Sequence, residues 1–237
     1  MSKLIYTGKT KDVFDNKDGT YTLKLKDDAT GKDGVFDPGE NAVGLQIQGL
    51  GKASLMLSKY YFEKLEAAGI PTHYIDADIS LAAMRVKPAA AFGRGVEFIC
   101  RCRADGSFLR RYGAYTSFGT DLGYFVEATL KDDERADPPI TKEALTILKI
   151  MTEEEYETCK NLTVRIARLI AADIEAKGLE LFDMKVEFGK SDTGIMLIDE
   201  ISAGCMRVYR NGSPVAPMLL GALILNNIDI RLEQEYH

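Results

Sequence analysis

The sequence predicts an α+β fold in which antiparallel sheets pack against a few helices. Two observations support this prediction. Strand-forming segments follow one another across short turns, as at 16–19 and 189–194, which is the pattern of β-hairpins. Helices are predicted at only three places, 53–68, 153–177 and 215–228. With 237 residues, of which 46% are hydrophobic, the chain is long enough to bury a substantial core.

The N-terminal part begins with a predicted hairpin. Residues 3–14 carry strand-forming side chains on both sides of Gly8-Lys9-Thr10-Lys11, and a further strand is predicted at 20–26 after a turn. In the helix predicted at 53–68, apolar residues recur near helical spacing, and Gly69-Ile70-Pro71 ends the pattern. This part therefore contains a small sheet with one helix packed on it.

A crossover follows the first helix. Two strands predicted between 81 and 103 are interrupted by small residues at 89–95, which we expect to link two lobes. The N-terminal lobe would span residues 1–90 and the C-terminal lobe residues 91–237. Residues 110–136 are dense in Gly, Asp and Tyr, which predicts an irregular surface segment that carries function rather than core.

The C-terminal half contains the longest predicted helix. Within 153–177, apolar residues repeat at spacings of three and four, and three glutamates at 153–155 place negative charge on the first turn. Gly178 is the expected end of this helix. Two strands at 181–188 and 195–201 then form a hairpin.

Composition excludes several classes of protein. The formal net charge of −6 is spread along the chain, and no basic tract alternates with aromatic residues, so we expect no nucleic-acid partner. Cys100, Cys102, Cys159 and Cys205 lack metal-finger spacing and are expected to be reduced and mostly buried. No apolar run suits a signal peptide or a bilayer span, which predicts a soluble, cytoplasmic protein without a membrane partner.

The strongest local signal is the segment Leu181-Phe182-Asp183-Met184-Lys185-Val186-Glu187-Phe188-Gly189. A strand's period of two places Asp183, Lys185 and Glu187 on one face and apolar residues on the other. Asp199 lies across the following turn on an otherwise apolar strand. Converging carboxylates beside a lysine are suited to Mg²⁺ that bridges nucleotide phosphates. The alternatives are a solvated sheet face with one salt bridge and, for Asp199, a turn-capping acid.

Two further segments favour anion binding. In Gly8-Lys9-Thr10-Lys11, glycine permits close backbone approach and the two lysines face one side, which suits a polyphosphate, although lysine pairs are also common on edge strands. Arg101 precedes a Gly-Ser turn, and its guanidinium with Ser107 and the turn amides would clamp a phosphate. An arginine stacked on its neighbours is the alternative. His73 has no base or nucleophile nearby in sequence, so we expect it to be structural.

These segments, in their order from Tyr6 to about Arg207, resemble the SAICAR synthetase family. The stretch at 181–189 matches the family's most specific motif without a departure. The other segments that carry the resemblance are Tyr6–Lys11 (Gly-Lys-x-Lys), Lys26–Thr30, Glu97–Ser107 (Glu-x-x-x-Arg-x-x-x-x-Gly-Ser), Lys131–Glu134 with Asp137-Pro138, and Asp199–Ser202 with Arg207.

The resemblance implies an ATP-grasp-like pair of α+β lobes and an ATP- and Mg²⁺-dependent ligase that assembles as a homo-oligomer. The implied reaction joins the carboxylate of carboxyaminoimidazole ribotide (CAIR) to L-aspartate through an acyl phosphate. Its implied site residues fall into four groups: Lys9 and Lys11 on the ATP phosphates; Glu187 and Asp199 on the nucleotide Mg²⁺, with Asp133 and Asp183 on a second metal; Arg101, Ser107 and Arg207 on the ribotide phosphate; and Lys11, Asp133, Asp183 and Lys185 in the catalytic centre.

Four departures from the family pattern leave alternatives open. Ser202-Ala203-Gly204 stands in place of Ser-Pro-Asp, and 91–97 differs in the link expected to contact adenine. Ala53-Ser54 replaces an asparagine pair, and the chain beyond Asn211 matches poorly. The alternative functions are a paralogous ligase or small-molecule kinase with another acceptor and a nucleotide-binding regulator without turnover. The retained acidic residues argue against the regulator, because a sensor has little use for a complete metal set.

Overall fold

A computed structural model describes residues 2–226 of the protein. In the first half the strands are β1 (Lys3–Thr7), β2 (Lys11–Asp15), β3 (Tyr21–Leu25), β4 (Asp28–Lys32), β5 (Val35–Phe36), β6 (Val43–Gln46), β7 (Tyr74–Asp78), β8 (Ala83–Val86) and β9 (Ala90–Ala91). The later strands are β10 (Val96–Arg103), β11 (Asp121–Leu130), β12 (Pro139–Ile140), β13 (Glu180–Ser191), β14 (Gly194–Ile198), β15 (Met206–Arg210) and β16 (Ser213–Pro214). The helices are α1 (Leu50–Ala67), α2 (Gly106–Tyr112), α3 (Lys142–Ile147), α4 (Glu153–Glu175) and α5 (Pro217–Leu225).

These strands form three antiparallel sheets. The first has the order β1-β2-β3-β8-β7, and the second has the order β12-β11-β10-β13-β15-β16, with β9 and β14 also paired to β13. A small third sheet has the order β5-β4-β6. The predicted α+β class with antiparallel sheets is therefore confirmed. The chain passes from the first sheet to the second between β8 and β9, while the division into lobes at residue 90 stays a prediction.

Most predicted elements lie within a few residues of the observed ones. Helix α1 begins three residues before the predicted start, and α4 begins at Glu153 as predicted, where Thr152 and Glu155 form a capping box. Helix α5 ends at Leu225, so the end predicted at Ile228 lies outside the described residues. Strands β4 to β7 and β15 and the short helices α2 and α3 were not predicted from the sequence; all are short, and glycines or charged residues lie within or beside them.

The prediction for residues 110–136 is wrong in its second half. Strand β11 occupies ten of these residues and pairs with β10 along its length. Val126 and Ala128 on this strand are buried, and Glu127 and Thr129 alternate with them. This period of two is the strand signal, and the density of Gly, Asp and Tyr before it obscured the pattern.

The hydrophobic core is one cluster that connects the first and second sheets. Helix α4 packs on β10, β11 and β13, and it buries Ile166, Ile170 and Ile174 completely. Helix α1 packs against the first sheet and against α5. All four cysteines are free; Cys100 and Cys159 are buried as expected, while Cys102 and Cys205 are only half-buried. Within residues 2–226, none of the helices combines the length and apolar character that a membrane span requires.

A short seam joins the segment before β7 to the end of β14 and to Asp199, which follows it. The backbone N–H of His73 donates to Leu197 O and that of Leu197 donates to Pro71 O, both at 2.9 Å. His73 Nε2 lies 2.9 Å from the carbonyl oxygen of Asp199. Burial lowers the pKa of the His73 imidazole from 6.5 to about 4, so the ring is neutral at pH 7 and donates this hydrogen bond. This position agrees with the structural role expected for His73.

Truncating the core face of α4 is expected to destabilise the protein. Ile166 is fully buried, so Ile166→Ala should lower the free energy of unfolding by about 3 kcal/mol through lost burial and a residual cavity. Ile147→Ala is the matched control, because that side chain is 79% exposed, and it should have little effect. Urea titration measures both variants, and equal losses would contradict the assignment of the core.

The buried imidazole is expected to make stability depend on pH. As pH falls from 6.5 towards 4, the unfolded chain gains a proton on His73 that the folded chain does not bind, so stability falls. The wild type should lose up to about 3 kcal/mol over this window relative to His73→Gln, which keeps an N–H donor for Asp199 O. Denaturant titrations of both proteins at several pH values test this, and parallel pH profiles would refute it.

Candidate active site

A cleft lies where the turn between β1 and β2 faces β13 and the residues after β14. It is also lined by the start of α1, through Leu50 and Ser54. Its lining contains many charged side chains of both signs. The lysines are Lys9, Lys11, Lys26, Lys131 and Lys185. The carboxylates are Asp28, Glu40, Glu97, Asp133, Asp137, Glu187, Asp199 and Glu200.

Lys11 is the most buried lysine of the cleft that forms ion pairs with two carboxylates, those of Asp199 and Glu200. Burial opposes its charge, but the two carboxylates prevail and hold the pKa of Lys11 above its ordinary value. The pKa of Asp199 lies well below its ordinary range because Lys11 outweighs the effect of burial. Burial and then Asp199 raise the pKa of Glu200 to about 7. The cleft thus contains one carboxyl group that titrates near neutrality.

Asp199 reaches Lys11 because the chain turns sharply after β14. Its backbone has φ of 72°, a left-handed conformation that is uncommon for residues other than glycine. The hydrogen bond to His73 fixes the carbonyl group of this strained residue. Asp199 therefore lies just beyond a strand rather than within one, and its side chain faces the cleft instead of capping a turn.

Glu187 lies beside Asp199 on the charged face of β13, as the period of two predicted. It pairs with Lys131 Nζ at 2.5 Å. Burial and then the charge of Asp199 raise the pKa of Glu187 above its ordinary value, since the neighbouring lysines only partly compensate. Two crowded carboxylates of this kind are the arrangement that a cation relieves.

Glu187 and Asp199 fit a metal that shares its ligands with a nucleotide. Mg²⁺ is usually bound by one or two carboxylates together with phosphates and water, rather than by a complete protein cage. Within residues 2–226, no group of three or more His, Cys, Asp or Glu side chains forms such a cage. Asp133 lines the same cleft at its rim, where it pairs with Lys9 Nζ at 2.6 Å.

The structure does not bring Asp183 together with Asp133, so the placement gives no support to its predicted metal role. Asp183 shares a face with Glu187, but four residues along a strand separate them by about 13 Å. Its oxygens instead accept from Arg101 Nη1 at 2.8 Å and Arg207 Nη1 at 2.9 Å. A carboxylate held between two guanidinium groups is already neutralised.

Arg101, Ser107 and Arg207 converge as predicted. Asp183 on β13 has Arg101 of β10 directly opposite it on one side and Arg207 of β15 directly opposite it on the other. Arg101 Nη2 donates to Ser107 Oγ at 2.8 Å, and its other nitrogens bind Glu127 and Asp183. Gly106 has φ of 52° and lies so close to Arg207 that an added Cβ would be 2.7 Å from Nη1. These groups form a compact guanidinium pocket at one end of the charged face.

Lys185 lines the cleft from its position on β13 between Asp183 and Glu187, and its Nζ donates to Glu97 Oε1 at 2.8 Å. Glu97 is buried and also accepts from Thr129 Oγ1 at 3.0 Å. The sequence reading did not select Glu97, Lys131 or Glu200 as site residues. Glu97 and Lys131 are the first residues of the motif segments 97–107 and 131–134, and Glu200 follows Asp199. Their positions in the sequence did not show which side chains reach the cleft.

The departure at 202–204 lies at the cleft, and so does Ser54 of the departure at 53–54. Ser202 caps the single 3₁₀ turn Ala203–Cys205, and Gly204 and Cys205 line the wall. A Cβ at Gly204 would meet only Ser202 Oγ, at 3.3 Å, so there is room for a larger residue. The link at 91–97 carries β9, which pairs with the end of β13. The wall is thus neutral where the family pattern has a carboxylate.

Comparisons with known proteins show the family to which the chain belongs. The SAICAR synthetase family model matches residues 4–215. A phosphoribosylaminoimidazole-succinocarboxamide synthase of Clostridium tetani is 54% identical over 224 residues, which cover 94% of this chain and 99% of the relative. A solved SAICAR synthetase structure superposes with a TM-score of 0.77 at 30% identity, covering 98% of this chain and 90% of the other. A type-2 SAICAR synthetase in complex with ADP gives 0.79 at 26% identity, covering 96% and 92%. The resemblance carried by the sequence motifs is thereby confirmed, and the chain belongs to the SAICAR synthetase family of ATP-dependent carbon–nitrogen ligases.

Proposed function

We propose that this chain performs the family's reaction with the cleft as its nucleotide and metal site and the guanidinium pocket as its ribotide phosphate site. The observation that carries the proposal is the charged face of β13. Glu187 lies at one end of this face beside Asp199, and Arg101 and Arg207 lie at the other end on the two flanking strands. A phosphorylated acceptor lying along this strand would present its carboxylate towards the nucleotide.

The nucleotide site is supported by its lysines. Lys9 and Lys11 follow Gly8 in a tight turn, in which the N–H of Gly8 donates to Lys11 O at 2.8 Å. Both lysines would exchange their carboxylate partners for ATP phosphates. Glu187 and Asp199 would hold Mg²⁺, which neutralises phosphate charge during phosphoryl transfer. Release of Asp199 from Lys11 would free this carboxylate for the metal.

The acceptor site is supported by the pairing across β13. Arg101, Ser107 and Arg207 would bind the ribotide phosphate through charge-assisted hydrogen bonds. We assign Asp183 the role of orienting both guanidinium groups, in place of the metal role expected from the sequence. Lys185, held by Glu97, would lie beside the acceptor carboxylate and offset its charge.

The chemistry follows from this arrangement. The acceptor carboxylate attacks the γ-phosphorus of ATP, which forms an acyl phosphate and releases ADP. The amine of L-aspartate then attacks the acyl carbon, loses a proton and expels phosphate. The residues of the chain align these groups and balance their charge, which is the main protein contribution to phosphoryl transfer. Asp133, at the rim beside Lys9, would act on the nucleotide side of this centre.

The activity itself is tested with purified protein, ATP, Mg²⁺ and CAIR. We expect succinocarboxamide product, followed by absorbance, only when L-aspartate is added, with one ADP released for each product formed. ADP release that is independent of L-aspartate would instead indicate a paralogous ligase or kinase with another acceptor. ATP binding without hydrolysis would favour a regulatory role.

Removing one charge from the proposed metal site should stop turnover while the fold stays intact. Glu187→Gln should lower the rate at least a hundredfold, because stabilisation of the transferring phosphoryl group by the metal amounts to several kcal/mol. Its melting temperature should not fall, since a neutral side chain relieves the crowding with Asp199. Glu180→Gln on the same strand is the matched control, because Glu180 is exposed and pairs with Arg103 outside the cleft. Wild-type turnover in Glu187→Gln would refute the metal assignment.

A further inference from the structure

Residues 36–41, the Asp37 segment, lie across the guanidinium pocket. Asp37 follows β5, and its Oδ1 accepts from the N–H of Gly39 at 2.8 Å and from Arg207 Nη2 at 2.7 Å. The base of the segment is fixed by Thr30 Oγ1, which donates to Asp37 O at 3.0 Å. A carboxylate next to a strand of the third sheet is therefore paired with an arginine on a strand of the second sheet.

Arg207 is enclosed by acidic groups and by backbone. Asp183 lies 2.9 Å from Nη1, Asp37 lies 2.7 Å from Nη2, and Asp105 lies 3.9 Å from Nε. Gly39 packs so tightly on the guanidinium that an added Cβ would be 2.1 Å from Nη2. An anion that binds this edge of Arg207 must meet the Asp37 carboxylate, and two anions at hydrogen-bond distance repel each other.

We propose that Asp37 occupies the place of the substrate phosphate on Arg207 and is displaced when a phosphate monoester binds. Asp37 is thus a positioning residue for the reaction: it keeps Arg207 in its bound orientation and sets how strongly an anion must bind to open the pocket. The inference rests on the proposed function, because it takes Arg207 as part of the ribotide phosphate site.

Displacement of Asp37 would also reach the nucleotide cleft. Phe36, Pro38, Glu40 and Asn41 of the Asp37 segment line that cleft, on the side opposite β13. When Asp37 leaves Arg207, the segment loses the ion pair that ties it to the second sheet. Binding of the phosphorylated acceptor is therefore coupled to the shape of the cleft that receives ATP.

The test measures the dissociation constant of ribose 5-phosphate by calorimetry and the KM of CAIR by product formation. Asp37→Asn should bind ribose 5-phosphate about fivefold more tightly and show a lower KM for CAIR, since the internal competitor is weakened. Asp37→Glu, which keeps the carboxylate, should stay near the wild type. Asp192→Asn, an exposed change in the turn after β13, controls for the altered net charge. Asp37→Ser serves as a second variant should Asp37→Asn fold poorly, and melting temperatures report folding.

Arg207→Gln tests the proposed phosphate site separately from the role of Asp37. It should weaken ribose 5-phosphate binding by at least tenfold. It should also remove the effect of Asp37→Asn, so that the double variant Asp37→Asn with Arg207→Gln binds no better than Arg207→Gln alone. Unchanged affinity in Arg207→Gln would refute the proposed phosphate site. Weaker binding in Arg207→Gln together with equal or weaker binding in Asp37→Asn would overturn the role of Asp37 alone. Tighter binding in Asp37→Glu would overturn it as well.

Discussion

The register of β13 is the constraint on which both proposed sites depend. Within residues 2–226, this strand pairs with β9, β10, β14 and β15. Its side chains alternate between the core and the charged face, so a slip of one residue would bury Asp183 and Glu187 against α4 and expose the apolar set. The packing of Met184 and Val186 into the core is therefore what keeps the charged face directed at the sites.

Ion pairs dominate that face, and their character follows from burial. Each lysine of the cleft lies beside a carboxylate, and Arg101 and Arg207 share Asp183. Buried pairs contribute little net stability, because the loss of hydration offsets most of their attraction. In this site the main effect of the ion pairs is to orient the lysine and arginine side chains. On the proposed function, a polyphosphate or a phosphate monoester would replace the carboxylate partners of cations that these pairs already hold in place.

The sequence was sufficient for the parts of the site that are local. The period of two at 181–189 correctly predicted the two faces of β13, and the Gly8–Lys11 turn was found from its residue types. The pairing between strands that are distant in the sequence was not predicted. The contacts of Asp183 depend on which residues of β10 and β15 lie opposite it, and a single sequence does not specify that register. The same limit explains why Glu97 and Lys131 were not predicted as site residues, whereas the grouping of Asp183 with Asp133 came from the family resemblance and not from the strand pattern.

The seam between the sheets explains why the cleft requires the whole fold. Lys11 belongs to the first sheet, and Asp199 follows a strand of the second, at the point where His73 and Leu197 join the two parts. A ligand that contacts both side chains therefore binds the assembled protein and not the unfolded chain, so it stabilises the native state by an amount that grows with the logarithm of its concentration above its dissociation constant. Asp37 extends the same logic to the third sheet, because its ion pair with Arg207 links that sheet to the second. Each of the three sheets, or a residue beside it, thus contributes a charged group to the path between the guanidinium pocket and the cleft, and on the proposed function binding at either end would act on contacts between sheets.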